Sequence, residues 1–333
     1  MTTTAKYFIK VVYSMICLLP VLLISFRSDE NPPGANISNG LIKAHLYLPD
    51  ANDGYYRATR FDWSGVMNSL EVNGHQYYGQ WYEKYSPTID DAIMGPVESF
   101  DPVGYEKIKP GGQFLKIGVG VVKKPDDLPY NFETYYPIVN GGQWNIKVKK
   151  DRVQFEQILN GAEYAYDYRK TVALVKNKPV MVIRHSLKNR GSETITTSVF
   201  DHNFLVMDQQ MTGPGFVLTL PCNPTEQISP SMQPYVKIKG NQLIFLKDLG
   251  RQHVSFKDLT NGVGADYNIK VENHNTGAAV KITGDKRISK MVFWSSSKTI
   301  CPEPYIKIEV KPGNTVTWEI TYEYYHCDIT KTP

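Results

Sequence analysis

From about residue 40 to about 325 the chain alternates apolar and polar side chains with a period of two, and that period decides most of what it can fold into. Ile42, Ala44, Leu46 and Leu48 alternate with Lys43, His45 and Tyr47. Leu115, Ile117, Val119 and Val121 follow the same rule, with Gly118 and Gly120 between them. Residues 180–183, 236–239 and 306–310 are shorter runs of strand-like character, and residues 316–325 form the longest, with Trp318, Ile320, Tyr322 and Tyr324 on one face. Short alternating runs of this kind build antiparallel sheets with one packed face. No segment carries a long helical period, no shift in composition marks a linker, and no repeat suggests propeller blades. Asn73-Gly74, Asn140-Gly141, Gly240-Asn241 and Asn261-Gly262 fall between apolar runs and suit turns that need positive φ. Residues 188–191 and 311–314 add two further turn candidates. The fold expected is all-β, a large antiparallel β-sandwich forming a single domain over residues 28–333.

The residues before it read differently. Lys6 and Lys10 precede an apolar run over 11–26 that Arg27 closes, the pattern of an export signal and short of a membrane span. No small-x-small cleavage motif follows Leu23, so residues 1–27 read as a signal peptide or an N-terminal anchor. The expected location is periplasmic or extracellular, with no membrane association unless that segment stays uncleaved. Removing it leaves Cys222, Cys301 and Cys327, enough for one disulfide at most and in no zinc-binding spacing. The 37 basic and 33 acidic residues give a net charge of +4, spread along the chain, which argues against a nucleic-acid partner.

Several chemistries are excluded by what is missing: a GxSxG elbow, a P-loop, an HExxH motif and a dinucleotide fingerprint. Aromatic residues, 12 % of the chain with 22 Tyr, serve strands and also sugar-binding faces. Three segments concentrate chemistry. Residues 54–65 place Arg57, Arg60, Asp62 and four aromatics, Trp63 among them, between glycines; arginine forks suit hydroxyls and aromatic rings suit sugar faces. The bland alternative is a wide loop whose arginine pairs with a nearby acid. Residues 200–208 interrupt an apolar strand with Asp201, His202 and Asn203, which must be paired or face a cleft. A satisfied core histidine is the competing reading there. Glu303 sits between Pro302 and Pro304, which reads as a carboxylate on a stiff turn, held as a general base should be. An ordinary exposed turn glutamate would look the same.

Together and in this order, YYRATRFDWSG (55–65), DHNFL (201–205) after HSLKNRGSETI (185–195), and CPEPY (301–305) resemble the aldose 1-epimerase (galactose mutarotase-like) family. The resemblance covers residues 40–326. It implies a supersandwich with a sugar site on the concave face of one sheet, no cofactor and no metal. It further implies His202 as the acid on the ring oxygen, Glu303 as the base on the anomeric hydroxyl, and Arg60 as a ligand of substrate hydroxyls. Asp62, Trp63, Trp81, Asp201 and Asn203 are the further substrate-binding candidates. The chain departs from the family in lacking the His-Gly-Gly segment of its N-terminal half. Residues 80–85 stand there, so Trp81, Tyr82 and Glu83 are candidate wall residues, while Asp201 and Asp208 compete for the family's substrate-binding aspartate.

The expected function is therefore interconversion of α and β anomers of a free sugar, with a mono- or oligosaccharide as partner. Two other classes fit the same residues: a carbohydrate-binding protein without turnover, and a polysaccharide lyase or hydrolase using Tyr55, Tyr56, Arg57 and Arg60. The sequence leaves the oligomeric state open.

Overall fold

A computed structural model describes residues 31–161, 164–224, 227–260 and 262–329. The signal or anchor segment 1–27 and the turn residue Asn261 lie outside the described residues.

The regular structure over these residues is almost entirely antiparallel strands. A ten-stranded sheet runs in the order Val236–Lys239, Gln242–Phe245, Phe216–Thr219, Asn268–Asn273, Ala278–Gly284, Thr315–His326, Val180–Asn189, Tyr166–Leu174, Arg152–Leu159, Gln143–Lys149. A five-stranded sheet, in the order Val254–Phe256, Lys290–Ser296, Thr299–Val310, Ile195–Phe204, Gly95–Phe100, packs against it. Two smaller sheets, one of four strands over residues 34–76 and one of three over 113–140, complete the set. This is the expected sandwich.

Period two explains the core. Trp318, Ile320, Tyr322 and Tyr324 are all buried, as their shared face requires, and meet Val199, Ile306 and Ile308 of the five-stranded sheet in one hydrophobic cluster. Asn73-Gly74 forms the two-residue turn between Met67–Val72 and His75–Gln76, with φ of 51° and 84° that a tight hairpin demands. A second apolar cluster lies on the other face of the five-stranded sheet. There Tyr56, Phe61, Trp63, Phe114 and Tyr136 pack toward Phe200 and Phe204. The outer face of the five-stranded sheet is thus covered around Phe200 and Phe204, while Thr196, Ser255, Lys307 and Glu309 on that face stay exposed.

Between the two sheets lies a charged cluster that alternation alone does not announce. Glu98, from the edge strand Gly95–Phe100, receives the Lys170 ammonium on one oxygen and lies 2.7 Å from His185 Nε2 on the other. Lys170 also donates to the Ser64 carbonyl at 2.8 Å and stands 3.8 Å from Asp62. Asp62 accepts from Tyr168 at 3.0 Å and from the Ser64 hydroxyl at 2.7 Å. Burial alone would raise the Glu98 carboxyl, but Lys170 and His185 hold it well below the usual carboxylate range. Burial wins at Asp62, which is raised to about 6 despite Lys170. Lys170 and His185 belong to the ten-stranded sheet and Glu98 to the five-stranded one, so the cluster bolts the layers together.

The expectation for Cys222, Cys301 and Cys327 allowed one disulfide; all three are free thiols. Among the described residues no helix is long and apolar enough to cross a membrane.

Removing one partner of a buried pair leaves the other charge uncompensated. Lys170→Met should therefore lower unfolding stability by about 3–5 kcal/mol in urea titration, and adding Glu98→Leu should restore most of it. A single-variant loss below about 0.5 kcal/mol, the scale of a surface substitution, would show that the cluster does not hold the sheets.

Candidate active site

Strand Ile195–Phe204 decides where its polar residues go. Residues 200, 202 and 204 face outward from the sandwich and residues 199, 201 and 203 face inward, because successive side chains leave a strand on opposite faces. His202 is thereby presented to a cavity of about 670 Å³ on the outer face of the five-stranded sheet. Glu303, on the neighbouring strand Thr299–Val310, faces the same cavity, and its Oε1 lies 3.3 Å from His202 Nε2.

Glu303 is not on a turn. It sits within a twelve-residue strand, contrary to the reading of its two prolines. The ladder between Thr299–Val310 and Ile195–Phe204 ends at Phe200↔Tyr305 and resumes only at the Leu205↔Ile300 bridge. Pro302 and Pro304 occupy that opening, where no backbone donor is required of them, and the Asn203 amide donates to the Pro302 carbonyl at 2.9 Å instead.

His202 is held by rings. Phe204 stacks on it at a centroid distance of 3.8 Å and 8° between planes, and Phe61 meets it edge-on at 5.6 Å. Burial lowers the imidazole well below 6.5, and the nearby Arg60 charge lowers it further. Burial raises Glu303 to about 7, against the pull of Arg60. The imidazolium that a pKa near 6.5 would provide is therefore not the resting form: at neutral pH the histidine is neutral and the glutamate is poised at its midpoint.

Arg60 lines the same cavity. Its guanidinium binds Asp91, lies 3.7 Å from Asp90, and is sandwiched between Phe61 at 4.6 Å and Phe132 at 4.1 Å. The structure thus brings His202, Glu303 and Arg60 together.

The other candidates lie elsewhere. Asp201 and Asn203 point between the sheets, where the Tyr322 hydroxyl bonds both; burial raises Asp201 to about 7. A one-residue step along the strand separates them from the cavity. Asp62 belongs to the inter-sheet charge cluster, and Trp63 is buried with its indole N–H on the Ala58 carbonyl at 2.8 Å. Asp208 binds His75 Nδ1 at 2.9 Å, outside the cavity. Trp81 stands behind the wall: it stacks on Phe204 at 5.0 Å and 12°, meets Trp294 edge-on at 5.4 Å, and donates to the Ile93 carbonyl at 3.0 Å.

Sequence reasoning missed Lys116, Tyr130, Phe132, Lys290 and Tyr305, all of which line the cavity. Lys116 carried a usable signal, since it is the polar member of the alternating run 115–121 and would sit on that strand's supposed wet face. That face is covered here, and Lys116 is only 2 % exposed. Among the described residues no group of three or more His, Cys, Asp or Glu is arranged to hold a metal ion.

No protein-family model matches the sequence, and no curated protein matches it. Solved structures do. The Slr1438 protein of Synechocystis sp. PCC 6803 superposes with a TM-score of 0.57 at 12 % identity, over 89 % of this chain and 97 % of that one. A galactose mutarotase related enzyme from Lactobacillus acidophilus gives 0.54 at 12 % identity, over 90 % and 100 %. An aldose epimerase homologue from C. elegans gives 0.52 at 13 % identity, over 89 % and 99 %. The chain has the galactose mutarotase-like fold.

The stack Trp81–Phe204–His202 makes a testable unit. Trp81→Leu and Phe204→Leu should couple by about 0.5–1.5 kcal/mol in a double-mutant cycle on urea unfolding, the range for an aromatic pair. Strict additivity would show that Trp81 does not support the ring that holds His202.

Proposed function

We propose that the protein is an aldose 1-epimerase-like enzyme that interconverts the anomers of a reducing sugar. The observation that carries this reading is the pair His202 and Glu303, buried, 3.3 Å apart and open to one cavity beside Arg60. Ring opening removes the proton on the anomeric hydroxyl, adds one to the ring oxygen and breaks the bond between that oxygen and C1. The aldehyde then rotates about C1–C2, and closure on its other face returns both protons. An acid and a base within reach of one sugar are all this requires.

Burial supplies both from a single shared proton. With Glu303 near 7 and His202 lower, the pair holds one proton across mildly acidic pH and shifts it between carboxyl and imidazole. The form with imidazolium and carboxylate is the reactive one: His202 gives its proton to the ring oxygen while Glu303 takes the hydroxyl proton. Arg60, fixed by Asp91 and two rings, offers its fork to sugar hydroxyls. The aromatic wall, including Tyr130, Phe132 and Tyr305, suits the apolar face of a sugar ring. Residues 1–27 support an exported enzyme, which would meet sugars released outside the cytoplasm.

Polarimetry on freshly dissolved α-sugars tests this directly. The wild type should accelerate mutarotation, and Glu303→Gln and His202→Asn should each cut the acceleration by about 10²–10⁴-fold. Binding of a sugar with no acceleration would replace the enzyme by a carbohydrate-binding protein.

The pH profile has a definite sign. The pair loses its last proton as pH rises through about 7, so kcat/KM should be flat across mildly acidic pH and fall about tenfold per pH unit above about 7. A rate that climbs through pH 7 would overturn the shared-proton assignment.

A further inference from the structure

The proton transfers above leave a buried lysine of the cavity without a task. Lys116 ends the strand Gln113–Lys116 and lines the cavity that holds His202, Glu303 and Arg60. Among the described residues no carboxylate lies within 4 Å of Nζ, Asp101 acting only from farther away, and Nζ donates instead to the Phe100 carbonyl. The Tyr130 ring lies 5.5 Å away, and the residue is 2 % exposed. A buried lysine with no carboxylate in contact gives up its proton more readily than an exposed one and so presents the nucleophilic amine, the arrangement used by amines that attack carbonyls.

We propose that Lys116 is a carbonyl-capture site, whose amine forms a reversible imine with the aldehyde of an open-chain sugar or another small aldehyde entering the cavity. The proposal rests on reading this cavity as the place where a reducing sugar opens, since the closed ring has no carbonyl to offer. Nζ adds to the aldehyde carbon, forming a C–N bond. The carbonyl oxygen then leaves as water with both hydrogens of the neutral amine, and hydrolysis reverses the step. No oxidant or reductant is needed.

The groups facing Lys116 set its charge in opposing directions. Burial lowers its pKa to about 7, the neighbouring Asp101 carboxylate raises it, and the Arg60 guanidinium lowers it. About half of these amines are then neutral at pH 7, against roughly one in 2,500 for an exposed lysine near 10.4.

The test traps the imine on the intact, folded protein. Wild type is incubated at pH 7 with glycolaldehyde, too short to close a ring, and sodium cyanoborohydride, which reduces the imine to a stable secondary amine. Peptide mass mapping should show Lys116 modified at least about tenfold faster than any surface lysine, since the neutral fraction favours it by far more. The preference should vanish in urea, and Lys116→Arg should lose the fast adduct while the surface lysines react as before. Surface lysines reacting while Lys116 stays unmodified would overturn the proposal. Mutarotation is measured separately, so trapping without mutarotation would retain the capture site and reject the epimerase, and mutarotation without trapping would do the reverse.

Discussion

One carboxylate sets the relation between the two layers. Glu98 takes the Lys170 ammonium on one oxygen and faces His185 on the other, and all three are fully buried between the sheets. Its strand, Gly95–Phe100, is paired in register with Ile195–Phe204, with Asp201 opposite Glu98 and His202 opposite Val97. Fixing Glu98 against the ten-stranded sheet therefore fixes the strand that carries His202. A buried charge is tolerable only where its partners are in place, so the cluster admits few alternative alignments of the layers.

The outer face of the same sheet shows the consequence. Where that face is covered, polar residues are neither solvated nor in the main core: His202 and Glu303, together with Lys116 of the three-stranded sheet, line a cavity. Desolvation then acts on all of them, in the direction each charge dictates. It raises Glu303, lowers His202 and lowers Lys116. Three groups with ordinary values near 4.5, 6.5 and 10.5 are drawn toward neutrality by one cause. The Arg60 guanidinium is met there by Asp91 and by two aromatic faces.

Aromatic residues supply the rigidity that this arrangement needs. The stack from Trp81 through Phe204 to His202 fixes the imidazole plane without a hydrogen bond at Nδ1, which finds no partner among the described residues. On the neighbouring strand, Pro302 and Pro304 exploit an opening in the ladder, and the Asn203 amide fills it from the opposite face. Asn203 thus shapes the site without touching the cavity.

The period of two determined the strands and which residues share a face, and the Asn73-Gly74 pair its hairpin, because a strand's side-chain geometry is local. The residue types along 200–208 and 301–305 were legible in the sequence for the same reason. Burial was not. Alternation tells which residues share a face but not what covers that face, so the burial of Lys116 was not legible, and Asp201 and Asn203 read as neighbours of the site. Nor could it reveal that Glu303 lies in a strand, since the ladder opening that admits its prolines is created by residues a hundred positions away. Which face becomes core and which becomes cavity is decided by long-range packing, and with it the charge states that the site's chemistry needs.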